Sequence, residues 1–298
     1  MEGSAMRKVK VGIIGTGNIG TDLLIKLQRS EVLECGIFTG RNPDSKGIRI
    51  AGAMGIKTSC DSIQAIQIHP DCCEIVFDAT SARVHLINAP ILKSLGKFTI
   101  DLTPSQYGKM CIPVINLKEC MDVDNINLIT CGGQAAVPIA HAIMQVHSEI
   151  DYIEVAASIA SLSAGPGTRD NIDEFTQTTR DAIRMFTGVP RAKAILVLNP
   201  AEPPILMNNT IYARIEKPRM QEIEQAVLHM AQKVQRYVPG YRVALGPVME
   251  NGRLTTMVQV TGLGDFLPKY SGNLDIITCA AVNAAEEYAK RKVLTRGG

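Results

Sequence analysis

The feature that most constrains the fold is the glycine pattern Gly15-Thr16-Gly17-Asn18-Ile19-Gly20, which follows an apolar run over residues 10–15. That run predicts a buried parallel strand, and the leucines of 21–29 predict a helix after it. In such a unit Gly15 makes the turn, Gly17 admits a pyrophosphate and Gly20 lets helix and strand pack. The helix N-terminus then binds the anion. The pattern predicts a Rossmann dinucleotide-binding domain, the alternative being a glycine-rich turn without a ligand.

Regular alternation of strands and helices continues through the first half. Further strands are predicted at 32–38, 73–80, 98–103 and 125–130, and helices near Asp61 and at 83–95. Because strands that alternate with helices pair in parallel, we expect a parallel sheet with helices on both faces, and hence an α/β fold class.

In the second half of the chain, strands and helices no longer alternate regularly. Strands are predicted at 151–160, 192–199, 210–216, 242–249 and 253–262, and helices at 171–186 and 219–237. Asn251-Gly252 is a strong hairpin signal between the last two strands, so this half is expected to be an α+β domain with a largely antiparallel sheet. We predict a dinucleotide-binding domain over 1–130, joined by a C-terminal helix in 275–298, and a catalytic and dimerisation domain over 131–274.

Composition excludes several classes. The 298 residues suffice for about two domains, and 31 basic against 29 acidic residues leave a net charge of only +2. Without a basic run, and with 4% aromatic residues to stack on bases, nucleic acid is not the expected partner. No apolar run approaches the roughly 18 residues that a membrane span needs, so no membrane is expected.

Eight cysteines are present, and none of them forms a C-x-x-C pair. Four of the five histidines, at 69, 85, 141 and 147, follow no metal-ligand spacing either, so we expect no metal. A chain of this size does not need a disulfide framework, which favours free thiols in a reducing cytoplasm.

Cys131 is the exception among the cysteines, because it stands in Thr130-Cys131-Gly132-Gly133-Gln134 between a predicted strand and a helical stretch. Helix N–H groups and the helix dipole at such an elbow are expected to lower the thiol pKa. The two glycines leave room for a substrate and free backbone N–H groups for an oxyanion. Cys131 is therefore a candidate nucleophile, with a buried structural thiol as the alternative. Pro138 predicts that the helix begins later or is kinked.

Two further segments bear on a cofactor. The second strand ends in Thr39-Gly40-Arg41, where an acidic residue would usually bind the adenosine ribose. Arg41 suits the 2′-phosphate of NADP, so NADP stays open beside NAD, and a solvated surface arginine is the alternative. The small-residue segment 161–169 either wraps a cofactor or is a plain connecting loop.

Eight collinear blocks resemble the acylating acetaldehyde dehydrogenase family of bacterial aromatic-degradation pathways. They cover nearly the whole chain: GTGNIGTDL (15–23), FDATSA (77–82), DLTP (101–104), TCGGQAAVPI (130–139), SAGPGTR (163–169), NIDEFT (171–176), NPAEPP (199–204) and LPKYSGNLDI (267–276).

The resemblance implies an arrangement like glyceraldehyde-3-phosphate dehydrogenase and a thioester on Cys131, with NAD as hydride acceptor and coenzyme A as acyl acceptor. It also implies a homodimer and a complex with a 4-hydroxy-2-oxovalerate aldolase, whose aldehyde arrives through a channel near Asn171 and Ile172. The implied cofactor contacts are Thr16, Gly17, Asn18, Ile19, Ser163, Ala164, Gly165, Pro166, Gly167, Thr168, Arg169, Asp170, Asn171 and Asn273.

The chain departs from the family pattern at three places. Asn208-Asn209-Thr210 replaces Arg-Asp-Thr, so the catalytic carboxylate position holds Asn209; Leu162 replaces a lysine; and 185–190 replaces a Gly-Gly-Ala-like turn. Two alternatives follow. One is a related dehydrogenase of semialdehydes or phosphorylated aldehydes, which calls for basic residues near Cys131 beyond Arg169. The other is a catalytically weakened partner subunit of an aldolase.

Overall fold

A computed structural model describes residues 8–296, except for the side chains of 166, 167 and 293–296. The described chain forms two compact units. The first comprises the chain up to Pro113, residues 117–128 and the segment from Ala281 onward. The second comprises residues 114–116 and 129–280.

A seven-stranded sheet of order β3-β2-β1-β4-β5-β7-β6 forms the first unit, with every pairing parallel. The order reverses beside β1, and ligands of such sheets bind at the carboxyl ends of the strands flanking that point. The predicted α/β class is confirmed. The strands are β1 Val9–Ile14, β2 Leu33–Thr39, β3 Thr58–Ser59, β4 Ile75–Asp78, β5 Phe98–Asp101, β6 Lys109–Met110 and β7 Asn125–Asn127.

Five helices accompany this sheet, and residues 114–116 of the fifth group with the second unit. The helices are α1 Asn18–Leu27, α2 Lys46–Ala53, α3 Ile63–Ile68, α4 Ala82–Ser94 and α5 Pro113–Cys120. The predicted end of α4 at Gly96 is confirmed by the left-handed backbone of that residue, with φ of 65°. The elements α2, α5, β3 and β6 were not predicted, because they are too short to carry a clear periodicity.

The second unit contains a five-stranded sheet of order β11-β12-β10-β8-β9, in which only β8 and β9 pair in parallel. The predicted hairpin is confirmed, since Asn251 and Gly252 both have positive φ between β11 and β12. The strands are β8 Tyr152–Ala160, β9 Arg191–Asn199, β10 Met207–Arg214, β11 Tyr241–Glu250 and β12 Arg253–Val260.

Alternate residues of β8, β10 and β12 are buried on the face against which α6 packs, and α6 also contacts α8 and α9. The first alternative for Pro138, a later helix start, was wrong, because α6 begins at Cys131 and runs through that proline. Segment 161–169 was expected to be a loop, but most of it is a 3-10 turn and the short helix α7. The helices are α6 Cys131–Val146, α7 Pro166–Asp170, α8 Ile172–Thr187, α9 Met220–Gln235 and α10 Gly272–Arg296.

The last helix contributes to both units. Its residues from Ala281 onward belong to the first unit, where the ring of Tyr288 stacks on that of Phe98 with 3.9 Å between centroids. Ser30 donates a hydrogen bond to Glu286 in the same region.

Within residues 8–296, no helix combines the length and the apolar character that crossing a bilayer requires. The same residues contain no cluster of three or more His, Cys, Asp or Glu side chains arranged to hold a metal ion.

Candidate active site

The glycine pattern lies at the carboxyl end of β1, beside the point where the strand order reverses. Gly15 has a φ of 113°, and a Cβ there would lie 2.5 Å from the carbonyl oxygen of Ala79. A Cβ on Gly20 would lie 1.8 Å from the carbonyl oxygen of Gly15. A Cβ on Gly17 would meet nothing within 4 Å. Gly15 and Gly20 are therefore required by the fold, whereas the fold itself does not require a glycine at 17.

The start of α1 is open to an anion. Gly17 is its N-cap and supplies no side-chain acceptor, and its first turn contains no acidic residue. Gly17 and Asn18 are exposed. The first N–H groups of a helix need a partner, and together with the open space at Gly17 they fit a pyrophosphate. Residues Thr16 to Gly20 therefore form a candidate cofactor cradle within the first unit.

At the end of β2 the backbone of Gly40 packs on Thr16, because a Cβ on Gly40 would lie 2.6 Å from the Thr16 methyl group. The next residue, Arg41, is exposed. The structure thus leaves the Arg41 guanidinium available to a ligand that binds along the carboxyl edge of the sheet.

Cys131 is the first residue of α6 and follows a sharp backbone elbow. Ile129, two residues earlier, is buried and has a φ of 56°. A β-branched residue rarely adopts this left-handed conformation, which costs of order 1–3 kcal/mol. Thr130 is the N-cap and accepts a 2.9 Å hydrogen bond from the N–H of Gly133. The elbow and the thiol were predicted from the sequence, whereas the strained Ile129 and the Thr130 cap were not.

Both glycines after the thiol are close-packed. A Cβ on Gly132 would lie 2.9 Å from the ring of Phe175, and a Cβ on Gly133 would lie 2.5 Å from the Ile129 side chain. The N–H groups of Cys131 and Gly132 point to the sulfur and lower its pKa, but burial acts in the opposite direction and dominates. Burial raises the pKa of Cys131 to about 12.

The expectation of a lowered thiol pKa was therefore wrong. Two N–H groups stabilise a thiolate less than the surrounding protein destabilises it, although Cys131 keeps partial solvent exposure. A group that removes the thiol proton is needed at neutral pH.

Asn209, at the position of the family carboxylate, lies beside the first turn of α6. It pairs with Ala157 across β10 and β8, and the Ala157 methyl lies 3.3 Å from where a Cβ of Gly132 would be. Asn209 is fully buried, and neither its Oδ1 nor its Nδ2 has a hydrogen-bond partner. An unpaired buried amide is costly, so this side chain is suited to a ligand, a water molecule or the reacting groups.

Residues 161–171 lie in the second unit, and their polar groups are largely engaged internally. Ser163 donates to the carbonyl of Ala160, and Arg169 donates to the carbonyls of Ser161 and Ala164. Arg169 also bonds the Ser161 hydroxyl. Its Nε and Nη2 groups are therefore engaged within its own loop, and Nη1 is the part of this exposed guanidinium for which the described hydrogen bonds give no partner. The side chains of Pro166 and Gly167 lie outside the described residues.

The remaining predicted contacts on this segment differ in their exposure. Thr168 is partly exposed, and its N–H donates to the carbonyl of Gly165. Ala164 is buried, Asp170 is exposed, and Asn171 caps α8 through its backbone.

Asn273 lies in the first turn of α10 and is 2% exposed. Its Oδ1 has no hydrogen-bond partner. A buried acceptor of this kind fits the amide N–H₂ of a nicotinamide. Within the second unit, this unsatisfied oxygen makes Asn273 a candidate contact for a ligand with an N–H donor.

The fold is also found in solved structures. Aspartate semialdehyde dehydrogenase II of Vibrio cholerae, complexed with ASA, superposes with a TM-score of 0.62 at 14% identity, covering 97% of this chain and 99% of that one. A second structure of the Vibrio cholerae enzyme gives the same TM-score at 11% identity, with 94% and 98% covered. The chain thus has the semialdehyde dehydrogenase fold, which is of the glyceraldehyde-3-phosphate dehydrogenase type.

Proteins with similar sequences identify the enzyme family within this fold class. Residues 131–268 match the family model of the prokaryotic acetaldehyde dehydrogenase dimerisation domain. The acetaldehyde dehydrogenase of Pectobacterium atrosepticum is 54% identical, covering 94% of this chain and 95% of that protein. The enzyme of Geobacillus stearothermophilus is 51% identical, with 97% and 98% covered. The chain belongs to the acetaldehyde dehydrogenase family and is an enzyme of this type.

Proposed function

We propose that the protein oxidises acetaldehyde, or another short aldehyde, and transfers the acyl group to coenzyme A. The observation that carries this proposal is the position of Cys131, at the first residue of α6 with two N–H groups directed at it. These donors can turn from the sulfur to an oxyanion that forms beside it. The family relationship supports the same chemistry.

The sulfur of Cys131 adds to the aldehyde carbon and forms a hemithioacetal, after its proton has moved to a base or water. Bound NAD supplies the hydride acceptor. Loss of the hydride and the hydroxyl proton leaves a thioester on Cys131. The thiol of coenzyme A then attacks this thioester, takes the acyl group and returns the Cys131 thiol. Dividing the reaction in this way permits ping-pong kinetics.

NAD is proposed as the cofactor, with NADP as an alternative that Arg41 supports. The candidate cofactor contacts are the cradle Thr16 to Gly20, the segment Ser163 to Asn171, and Asn273. We further propose a cytoplasmic homodimer that pairs through the second unit, which matches a dimerisation domain. The proposed partner is a 4-hydroxy-2-oxovalerate aldolase in the breakdown of aromatic compounds.

A semialdehyde or phosphorylated aldehyde is a poorer substrate for this site. Such substrates carry a second anionic group, and Arg169, the candidate partner, already donates from Nε and Nη2 to Ser161 and Ala164, which leaves Nη1 as its one group without a described bond. Reduced-cofactor absorbance with acetaldehyde and NAD, with and without coenzyme A, tests the proposal. Strict dependence on coenzyme A is expected. Equal rates without it would replace acyl transfer by simple oxidation to the acid.

Cys131→Ala sharpens this test. The variant is expected to lose several orders of magnitude in aldehyde oxidation, as enzymes do when a covalent nucleophile is removed. Its dinucleotide affinity should stay near that of the wild type, because the cradle lies on α1. Cys60→Ala, which removes an exposed thiol of the first unit, is the matched control. Activity of Cys131→Ala above about a hundredth of wild type would exclude the thioester mechanism.

A further inference from the structure

A buried charged cluster occupies the carboxyl edge of the first sheet, and the proposed reaction does not use it. Asp78 and Asp101 are the last residues of the neighbouring strands β4 and β5, and they are paired in register. Both side chains are fully buried. Two carboxylates directly opposite each other repel strongly, and in the interior this arrangement needs a compensating charge.

His85 of α4 provides that charge. Its ring is fully buried, with Nδ1 2.9 Å from Asp78 Oδ2 and Nε2 3.5 Å from Asp101 Oδ2. Both ring nitrogens thus face carboxylate oxygens, which favours the doubly protonated imidazolium. Asn125 places its Nδ2 3.2 Å from Nε2 and leaves its own buried Oδ1 without a partner. Turning this amide by half a rotation makes Oδ1 an acceptor for Nε2–H.

Each aspartate shapes the loop that follows its strand. Asp78 accepts hydrogen bonds from the N–H and the hydroxyl of Thr80. This turn places the carbonyl of Ala79 in close contact with Gly15, the first glycine of the cradle. The N–H of Ala79 donates a 2.8 Å hydrogen bond to the carbonyl of Ile14. The aspartate therefore fixes a loop in direct contact with the cradle.

Asp101 holds the next loop in the same way. It accepts from the N–H of Thr103 at 2.7 Å, from Asn127 at 2.6 Å and from the hydroxyl of Ser105. Both loops leave the sheet at the edge where dinucleotides bind in this topology.

We infer that His85, as the protonated bridge between Asp78 and Asp101, is a positioning residue that holds these two loops in the shape that binds the dinucleotide. This inference rests on the proposed use of a nicotinamide dinucleotide. His85 itself touches neither Gly15 nor the rest of the cradle among the described hydrogen bonds, so it acts through Asp78 and Thr80.

Protonation couples this bridge to pH. Burial alone lowers the pKa of His85, but the hydrogen bond to Asp78 and the charges of Asp101 and Asp78 outweigh it and raise the pKa above the usual 6.5. Burial raises the pKa of Asp101 to about 6, although the charge of His85 opposes this. Asn88 donates to Asp78, and Tyr107 packs edge-on against the His85 ring. The raised pKa extends the protonated form of His85 to higher pH than in a free histidine, and the charge is lost as the pH rises through the folded-state pKa of the ring.

The test measures NADH affinity of the full chain by fluorescence from about pH 6 to about pH 9, across the range in which a histidine titrates. In the wild type, Kd should rise with the same midpoint as the His85 ring titration followed by NMR. His85→Gln should bind NADH roughly tenfold more weakly at pH 6, the effect of one hydrogen bond to a charged group. Its Kd should no longer show the midpoint of the His85 titration; any remaining pH dependence should follow Asp101, whose pKa rises further once the charge of His85 is removed.

Two more variants separate positioning from folding. His69→Gln removes an exposed histidine of the same unit and should keep the wild-type profile. Thr80→Val keeps the bridge but removes one hydroxyl from Asp78, so it should weaken NADH binding while the His85 titration stays in place.

The outcomes are distinguishable. If wild type binds NADH at no pH, the proposed cofactor is wrong and the inference falls with it. If wild type and Thr80→Val bind NADH equally, and wild-type Kd does not follow the His85 titration, the inference alone is overturned. That comparison decides the question even if His85→Gln does not fold.

Discussion

The hydroxyl of Thr130 lies 2.7 Å from the hydroxyl of Thr179, and this contact ties the start of α6 to α8. Thr179 donates onward to the carbonyl of Phe175 at 2.7 Å. Thr130 therefore donates to Thr179, which leaves a lone pair of Thr130 to accept from Gly133. This chain of hydrogen bonds fixes the turn on which Cys131 stands, and it is entirely buried.

Thr179→Val should disturb this turn, although the two side chains have similar volumes. The Thr130 hydroxyl loses its acceptor, and a buried polar group left unpaired costs about 1–3 kcal/mol. We expect a lower Tm and a several-fold lower kcat, because the N–H groups around Cys131 are less well aligned. Ser45→Ala is the control, since Ser45 caps α2 by the same hydrogen bond, to Ile48 N–H, in the first unit. Loss of the Ser45 cap should lower Tm and leave kcat unchanged. Equal losses of kcat in both variants would contradict a specific role of the Thr130–Thr179 hydrogen bond in aligning the N–H groups around Cys131.

The glycines of the cradle allow a sharper test of cofactor binding. Gly17→Ala adds a methyl group that meets nothing in the protein, so folding should be unaffected. The same methyl group occupies the space expected for the pyrophosphate, so Kd for NADH should rise by about tenfold or more. Circular dichroism melting and fluorescence titration measure the two effects.

Substitutions at two other glycines serve as controls for Gly17→Ala. Gly20→Ala would place its methyl 1.8 Å from the carbonyl of Gly15, so it should destabilise the whole first unit. Gly52→Ala, in α2 and equally free of neighbours, should leave Kd unchanged and gain up to about 1 kcal/mol from helix propensity. A Gly17→Ala protein that binds NADH like Gly52→Ala would remove the cradle from the cofactor site.

Cofactor choice depends on Arg41 in our proposal. We expect NAD to be preferred and NADP to be used measurably, because Arg41 is exposed and can pair with a 2′-phosphate. Arg41→Ala should lower kcat/KM for NADP and leave that for NAD nearly constant. Arg49→Ala removes a charge from α2 and serves as the control. NADP use below about a thousandth of NAD, unchanged by Arg41→Ala, would exclude this role.

Much of this architecture was predictable because its signals are local. Period-two and helical patterns identified the long elements of both sheets, and Asn251-Gly252 identified the hairpin, since each depends on the backbone preferences of a few residues. The two-residue strands β3 and β6 depend on pairing with β2 and β7, which are distant in the chain. The eight-residue helices α2 and α5 are too short to show a clear periodicity. The missed elements are therefore short ones whose local pattern is weak or that depend on tertiary contacts.

The candidate site was predictable in its residues but not in its electrostatics. The elbow at Cys131 follows from a strand, two glycines and a helix, all visible in the sequence. Whether the thiol pKa falls or rises depends on how much protein surrounds the sulfur, and burial outweighs two N–H donors. The bridge through His85 was missed for a similar reason. Its partners Asp78 and Asp101 are brought together only by strand pairing.

Because the pKa of Cys131 is raised, the thiol needs a proton acceptor, and the residue at position 209 is the candidate for that role. With that pKa at about 12, little thiolate exists near neutral pH, and the wild-type rate should rise with pH from about 6 to about 10 without a plateau. Asn209 cannot accept the proton, although it can donate to the sulfur or to an oxyanion. We therefore expect this enzyme to be slower near neutral pH than a homologue with a carboxylate at this position.

Asn209→Asp should reverse this deficit. The carboxylate can take the thiol proton directly or through a water molecule, and such general-base help is worth about 10²-fold at the lower end. It also disfavours the free thiolate by repulsion, so the gain requires that proton transfer accompanies attack on the aldehyde. The measurement is kcat at saturating coenzyme A across the same pH range. The variant should show a higher kcat and a plateau above the pKa of the new acid.

Asn208→Asp is the control for this prediction. It adds the same charge on the opposite face of β10, as the alternating burial of that strand indicates, and should keep the wild-type profile. A profile for Asn209→Asp identical to that of the wild type would show that position 209 has no part in activating Cys131, and a lower rate would assign the native amide a hydrogen-bonding role instead.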